Sequence, residues 1–338
     1  MNASVPTHAL ALSWLAHVAQ ALWQGTAAAL VLLACERLLR RRSPRLRHAL
    51  LLIALIKFVL PPMLPLPTGV FSAAPPAPRI HAVRQLGALP SWIVLAIAVA
   101  YGVGATVAFA RVAAGAWHLH GLRRRSFAAP RWAEELLAGV AREHGVRPPR
   151  LLASDEAGVP MTFGVFAPAV VLPRALPSLL DRDALRDVFA HELLHVRRGD
   201  LLLNLAGSLI AAAWWFHPLV QLIARRARAL REECCDDELL ASGLHDAAVY
   251  ARTLAATASL LRERPPFAAA AVAEEPHALL ARVLRIANGA HPTRRLGLAA
   301  IAIVITAALL LLPGLRVSSD NHFAFDRATL RALGLHHH

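Results

Sequence analysis

The sequence His191-Glu192-Leu193-Leu194-His195 decides how the rest of the chain is interpreted. It is a form of the H-E-x-x-H pattern, and on a helix the i, i+4 spacing places both imidazoles on one face beside the carboxylate. Neutral imidazole is a good zinc ligand, and a catalytic zinc site takes three protein ligands and leaves one position for water. We therefore predict that His191 and His195 bind zinc and that Glu192 is the general base that takes a proton from the bound water.

A third ligand is expected downstream, in the sequence REECCDD at 231–237. Glu232 and Asp236 also have i, i+4 spacing, so they share a face if the segment is helical. Glu232 is the predicted third ligand, and Asp236 would orient a ligating histidine from behind. Cys235 is an alternative ligand, but Glu232 fits the pattern better. The expected cofactor is one Zn²⁺ per chain.

The composition is that of a membrane protein. Of 338 residues, 57% are hydrophobic, and the mean hydropathy is +0.47. The formal charge of +14 comes from arginines that cluster beside apolar stretches, which suits membrane topology better than nucleic-acid binding. We expect contact with a lipid bilayer and no direct nucleic-acid partner. Three cysteines, two of them adjacent, provide no disulfide framework.

Four apolar stretches have about the length that a membrane-spanning helix needs: 9–34, 48–66, 91–116 and 296–313. Arginines follow the first and third stretches, and arginine-rich ends stay in the cytoplasm. The predicted fold is therefore mainly α, with four transmembrane helices. It would be a multi-pass protein of the bacterial cytoplasmic membrane with both termini outside.

The catalytic domain is predicted between the third and fourth spans. Residues 1–116 would form the first three spans, and 117–295 would form a cytoplasmic α+β domain with a small sheet. Residues 314–338 would form a short extracytoplasmic tail. Within the domain, 130–144 has an apolar face typical of an amphipathic helix, and 178–190 has the apolar stripe of a helix that continues into the HELLH sequence.

Two short strands are predicted at 151–153 and 169–172, separated by turn-forming glycine and proline. Between them, 161–166 could be an edge strand beside the metal, to which an extended substrate adds through backbone hydrogen bonds. It could equally be a hairpin packed on the core. Phe163 and Gly164 are therefore candidate substrate-binding residues.

The segment 201–224 is apolar and just long enough to cross a membrane. A simple crossing would place Glu232 on the opposite side from the HELLH sequence, so three arrangements remain: a re-entrant hairpin turning near 214–218, an interfacial helix or a buried helix. We expect a membrane-apposed re-entrant or buried segment, because polar residues interrupt its apolar face. His217 is a candidate for stabilising an oxyanion, with a structural role beside Pro218 as the alternative.

These residues resemble the BlaR/MecR-type integral-membrane zinc metallopeptidases, signal-transducing antirepressor proteases of the gluzincin type. The resemblance is carried by HELLH at 191–195, WWFHP at 214–218 and the sequence at 232–236, which fits the family's E-x-x-C-D element. It implies the same ligands, base and orienting carboxylate as predicted above. It further implies a regulated endopeptidase that cleaves itself or a cytoplasmic transcriptional repressor.

The resemblance does not extend to every feature of the family. Well-known relatives carry an extracellular penicillin-binding sensor after the last span, and we expect none in 314–338. Ser319-Asp320-Asn321 matches a β-lactamase element, but its Ser-x-x-Lys and Lys-Thr-Gly partners are missing, so we interpret it as chance. Two alternatives stay open: an HtpX-like membrane quality-control protease, and a non-catalytic transducer stabilised by zinc. A homodimer is also left open.

Overall fold

The computed structural model describes residues 5–60, 90–262, 276–289 and 297–312. The helices in this part of the chain are α1 (Val5–Leu38), α2 (Pro44–Lys57), α3 (Ser91–Arg125), α4 (Arg131–Glu143), α5 (Leu176–Leu179), α6 (Arg182–Arg198), α7 (Asp200–Ala213), α8 (Pro218–Leu240), α9 (Ala247–Arg262), α10 (Pro276–Ala287) and α11 (Leu298–Leu311). The mainly helical prediction is confirmed. The predicted tail, the Ser319-Asp320-Asn321 sequence and the ends of some predicted spans lie outside the described residues.

A small mixed sheet accompanies the helices. Its strands are β1 (Phe127–Ala128), β2 (Arg150–Ser154), β3 (Met161–Phe163) and β4 (Ala169–Pro173), in the order β1-β2-β4-β3. The central pair, β2 and β4, is parallel, and the outer strands pair antiparallel to them. The two predicted strands are confirmed, whereas β1 was not predicted. Within the 161–166 segment, residues 161–163 form an edge strand that is also one arm of a hairpin with β4, so both predicted alternatives are met in part.

The HELLH sequence lies in α6, as predicted. The side chain of Asp181 caps its first turn by accepting a hydrogen bond from the Ala184 amide at 2.7 Å. Gly199 ends the helix with φ of 69°, a left-handed conformation that glycine adopts without steric cost. Asp200 begins α7 directly after this glycine, and its carboxylate lies 2.9 Å from His195 Nδ1 near the end of α6.

A hydrophobic core surrounds α6 and connects it to α4, α9 and the sheet. Leu137 and Val140 of α4 pack with Phe189 and Leu193 of α6 and with Leu172 of β4. Each of these side chains is almost completely buried, which stabilises the domain by removing apolar area from water. The face of α6 that carries the two histidines is therefore held in a fixed position relative to the sheet.

Within the described residues, α3 is the helix whose length and composition would let it cross a membrane. The apolar helices α7 and α11 are shorter, with 14 residues each. In the predicted second span, 48–66, the helix ends at Lys57, whose buried ammonium group donates to the Leu312 carbonyl at 3.0 Å. The four-span layout and the orientation of the termini remain predictions.

The segment 201–224 forms a helical hairpin. α7 ends at Ala213, the chain turns through 214–217, and α8 then runs for 23 residues back towards α6. Gln221 Nε2 donates to the Ala211 carbonyl at 2.8 Å across the turn, and Trp214 Nε1 donates to the Phe58 carbonyl at 3.2 Å. The two helices and their turn return Glu232 to the HELLH helix, and the position of the hairpin relative to the membrane remains a prediction.

Candidate metal centre

Three predicted ligands lie together between α6 and α8. His191 Nε2 is 3.2 Å and His195 Nε2 is 3.4 Å from the same oxygen, Oε2 of Glu232. The two imidazole rings have centroids 4.9 Å apart and are nearly perpendicular. One donor atom from each residue lies within 4.8 Å of the other two. One metal ion bonded to all three at about 2.0–2.2 Å fits this spacing.

Asp200 orients the ring of His195. Its Oδ2 lies 2.9 Å from Nδ1 of His195 and also accepts a hydrogen bond from Arg198 Nε at 3.1 Å. Burial would raise the pKa of Asp200, but the hydrogen bond from His195 and the charge of Arg198 lower it. Because the ionised carboxylate can only accept, we assign the proton of the neutral ring to Nδ1, which leaves the lone pair of Nε2 for a metal.

Tyr250 and Asp236 orient the ring of His191. Tyr250 Oη donates to Asp236 Oδ1 at 2.7 Å and lies 2.9 Å from His191 Nδ1, from which it accepts. Asp236 Oδ1 itself is 3.5 Å from that nitrogen, too far for a good direct hydrogen bond. Asp236 therefore acts on His191 mainly through the tyrosine, and the sequence had predicted the carboxylate without this intermediary.

Arg282 of α10 holds Asp236 in place. Its Nε and Nη2 donate to the two carboxylate oxygens at 2.9 and 2.7 Å, a bidentate arrangement of buried groups. Although burial would raise the pKa of Asp236, Arg282 and His191 hold it below its ordinary value. Nη1 of Arg282 also lies 3.5 Å from Glu232 Oε2, so the same side chain faces the third predicted ligand.

Basic neighbours oppose the effect of burial on the pKa of Glu232. Arg231 Nη2 donates to Oε1 at 2.7 Å, which leaves Oε2 towards the two histidines. Burial would raise the pKa of Glu232, but His195 and Arg231 hold it well below its ordinary value. The donor set is therefore two imidazole nitrogens and one carboxylate oxygen, which is a set that suits catalytic zinc.

Glu192 is connected to the sheet. Thr162 Oγ1 of β3 donates to Glu192 Oε2 at 2.6 Å. Since β3 is an edge strand and α6 packs against the core, this hydrogen bond fixes the carboxylate between the helix and the open edge of the sheet. The motif predicted Glu192 as the base, but it gave no indication of Thr162.

A second group of potential ligands overlaps the first. His195, Asp200 and Cys235 also bring one donor atom each within 4.8 Å of the others, with Cys235 Sγ 3.4 Å from His195 Nδ1. Burial raises the pKa of the Cys235 thiol, which disfavours the thiolate that a metal needs. Cys235 approaches the Nδ1 atom of His195, which is the nitrogen that already bonds to Asp200. We therefore favour the group that contains Glu232.

Three predicted residues are not brought to this cluster. His217 caps α8, where its ring accepts from the Val220 amide, and its Nε2 lies 3.0 Å from Thr26 Oγ1. Fifteen residues of one helix separate it from Glu232, which corresponds to about 22 Å. The oxyanion role predicted for His217 is corrected to the structural role that was its alternative.

The other two residues lie near the edge strand but serve the fold. The Phe163 ring is buried in a core cluster with Leu122 and Leu152, so it does not offer a free side-chain surface. Gly164 has φ of 95°, and a Cβ there would lie 2.5 Å from the Ala167 carbonyl oxygen. The turn after β3 therefore requires glycine. A substrate role for these two positions can involve only their backbone.

The part of the chain that contains this metal centre matches a known protein family. A model of the BlaR1 peptidase M56 family matches residues 16–286, which is most of the chain. The chain belongs to this family. Membership of the M56 family supports a peptidase that uses a metal, which agrees with the donor set between α6 and α8.

Several curated proteins are similar to parts of this M56 chain. The regulatory protein BlaR1 of Bacillus licheniformis is 37% identical over 81 residues, which are 24% of this chain and 13% of that protein. Protease HtpX homologues are also similar. That of Sulfurihydrogenibium sp. is 29% identical over 28% of this chain and 33% of its own length, and that of Aeropyrum pernix is 35% identical over 24% and 27%. The matches therefore span a third or less of these relatives.

Proposed function

We propose that this M56 protein is a membrane-embedded zinc endopeptidase. The observation that carries the proposal is the convergence of His191 Nε2 and His195 Nε2 on one oxygen of Glu232. Each imidazole has its other nitrogen bonded to a fixed acceptor, Tyr250 for His191 and Asp200 for His195. A site built only for folding would have no need of the adjacent Glu192.

Glu192 performs the proton transfers in the proposed reaction. Zinc, when bound, supplies the Lewis acidity that activates water and polarises the scissile carbonyl. Glu192 takes a proton from the attacking water and returns it to the leaving amine. Thr162 holds the carboxylate in position by its hydrogen bond to Oε2. Asp200 and Tyr250 keep the two histidine rings oriented for metal binding.

The open edge of β3 is the proposed substrate-binding strand. Among the described strands β3 pairs with β4 alone, so the backbone of 161–163 can pair with an extended peptide on its other side. Thr162 connects this strand to Glu192, so a peptide bound there would pass beside the base. Backbone pairing accommodates many sequences, which suits an endopeptidase.

We further propose that the zinc site lies near the cytoplasmic surface of the membrane and that the enzyme is regulatory. The hairpin of α7 and α8 is apolar up to its turn, and α3 has the length and composition to cross a bilayer. Similarity to the regulatory protein BlaR1 supports a signalling role. The substrate would be the protein itself or a cytoplasmic transcriptional repressor.

An HtpX-like quality-control protease is the second candidate. It is favoured by the similarity to two protease HtpX homologues, each over about a quarter of this chain. Both candidates use the same metal site, so substrate range separates them. A regulatory enzyme cleaves a few defined bonds, whereas a quality-control enzyme cleaves many unfolded membrane proteins.

Glu192→Gln tests the enzymatic proposal against a non-catalytic transducer. The amide cannot act as a base, so we expect one zinc per chain, as in the wild type, and a loss of cleavage of about a hundredfold or more. Zinc is measured by mass spectrometry of the purified protein, and cleavage products are identified by mass spectrometry of cells. Glu156→Gln, at an exposed carboxylate paired with Arg125, is the matched control. Unchanged signalling in Glu192→Gln would contradict the enzymatic proposal.

A further inference from the structure

A cavity of about 370 Å³ opens beside the metal centre, where the turn between α1 and α2 meets the end of α6. Its walls include Arg45 of α2, Arg197 and Arg198 of α6, and Glu238 of α8. It contains none of the predicted metal ligands.

Three guanidinium groups converge in this cavity. Arg45, Arg197 and Arg198 all form ion pairs with the one carboxylate of Glu238. Asp200 is the second acidic residue of the wall, so three positive charges face two negative ones. Planar guanidinium groups bind phosphate oxygens in pairs, which makes such a group a typical phosphate-binding arrangement.

An apolar helix face adjoins the cavity. Leu203 of α7 is part of the wall and is itself exposed. Leu202, Leu205 and Leu209 follow the i, i+3, i+7 spacing of one helix face, and all three are exposed. A molecule with a phosphate at one end and an apolar chain at the other would therefore match both surfaces.

We propose that this cavity binds the headgroup phosphate of an anionic phospholipid, with an acyl chain along the exposed face of α7. The proposal rests on the membrane placement given above, in which the turn between α1 and α2 lies on the cytoplasmic side. Anionic headgroups are found at that level, and basic pockets between membrane helices bind them. Asp200, which lines the cavity, is hydrogen-bonded to His195. The side chain of Asp200 would therefore be all that separates the bound lipid from a predicted metal ligand.

Binding is measured by native mass spectrometry of the detergent-purified full chain. The probes are short-chain phosphatidylglycerol, phosphatidylcholine with the same chains, and inorganic phosphate. We expect phosphatidylglycerol to bind about tenfold more tightly than either of the others, because it alone offers both an anionic headgroup and an acyl chain. Equal binding of the two lipids would overturn the proposal, and equally tight binding of inorganic phosphate would overturn the assignment to lipid.

Two variants should change phosphatidylglycerol binding in opposite directions. Arg45→Gln removes one guanidinium and should weaken binding about fivefold, whereas Glu238→Gln removes the competing carboxylate and should strengthen it about fivefold. Arg41→Gln removes the same charge from an exposed position of the turn and should change binding less than twofold. An equal loss in Arg41→Gln and Arg45→Gln would show diffuse attraction only and would overturn the site.

Misfolding cannot produce the tighter binding expected of Glu238→Gln, and circular dichroism checks the fold of each variant. The readout needs no peptidase activity. A failure of lipid binding therefore leaves the peptidase proposal standing, and an inactive protein leaves the lipid proposal standing.

Discussion

The two ends of α8 lie in different surroundings, although both contain buried polar side chains. At its N-terminal end, His217 packs beside Phe58 and Trp214 in an aromatic cluster and has Thr26 as its side-chain partner. Near its C-terminal end, Glu232 and Asp236 lie among charged groups. There, buried carboxylates face arginines and histidines from α6 and α10.

This difference shows why burial of a histidine is not enough to identify a site. His195 and His217 are both almost completely buried. His195 has an ionised carboxylate behind it and another in front, so a metal at Nε2 would complete its surroundings. His217 already has its helix cap and a threonine, and it lacks an acidic neighbour among its described partners. The charged groups that converge on His195 therefore distinguish a candidate metal ligand from a structural histidine such as His217.

The largest effect is expected from replacing the acidic ligand itself. Glu232→Ala removes one of three donors and should lower zinc affinity more than about a hundredfold, because even partners that contact only the ligands contribute about tenfold to a hundredfold. His217→Asn, at the other end of α8, should keep one zinc per chain and lower the melting temperature instead. Chelator competition with metal analysis measures both. Loss of zinc in His217→Asn would remove the distinction between the two ends.

Tyr250→Phe tests the connection between Asp236 and His191. Without the hydroxyl, His191 Nδ1 loses its acceptor, and zinc affinity should fall about tenfold to a hundredfold. Tyr101→Phe is the matched control, because Tyr101 donates to the Ala213 carbonyl near the hairpin turn. Chelator competition should show unchanged zinc affinity in the control. Equal affinities of Tyr250→Phe and the wild type would mean that Asp236 orients His191 directly.

Thr162→Val should affect catalysis without affecting zinc. The variant keeps the shape of the side chain but removes the hydrogen bond to Glu192, so kcat should fall about tenfold while KM and zinc content stay constant. Thr106→Val changes an exposed threonine of α3 and serves as the control. A change in KM alone would place Thr162 in substrate binding and not in orientation of the base.

The smallest expected effect is on stability at acid pH, and it comes from His144, a buried histidine outside the metal centre. Burial, followed by the neighbouring His245 and Arg197, lowers the pKa of His144 below its ordinary value of 6.5. The unfolded chain therefore binds a proton first as the pH falls, so the stability from neutral His144 is complete above pH 6.5 and is lost below it.

His144→Gln should reduce this acid sensitivity. Between about pH 7.5 and about pH 5, the melting temperature of the variant should fall less than that of the wild type. His120→Gln, at an exposed histidine of α3, should follow the wild type. An equal fall in all three proteins would show that His144 does not contribute.

The sequence predicted the parts of the site that repeat at helical spacing. His191, His195, Glu232 and Asp236 form two i, i+4 pairs, and helix geometry alone places each pair on one face. The two helices must then meet for the ligands to converge, and the hairpin at 214–217 provides that return. The strands around the edge were predictable from their apolar sequences and turn residues.

The supporting residues were not predictable in the same way. Asp200 follows Gly199, and its contact with His195 depends on a left-handed turn that the spacing does not reveal. Tyr250 and Arg282 come from α9 and α10, which pack on the site only in the tertiary structure. A polar residue directly after a helix-ending glycine was the one available signal, and it pointed to Asp200.

X-ray absorption at the zinc edge of the purified protein tests the central claim most directly. We predict two imidazole nitrogens and oxygen donors at about 2.0–2.2 Å, with no sulfur neighbour, because His191, His195 and Glu232 supply the ligands. A sulfur neighbour at about 2.3 Å would contradict this assignment. It would place the metal instead among His195, Asp200 and Cys235.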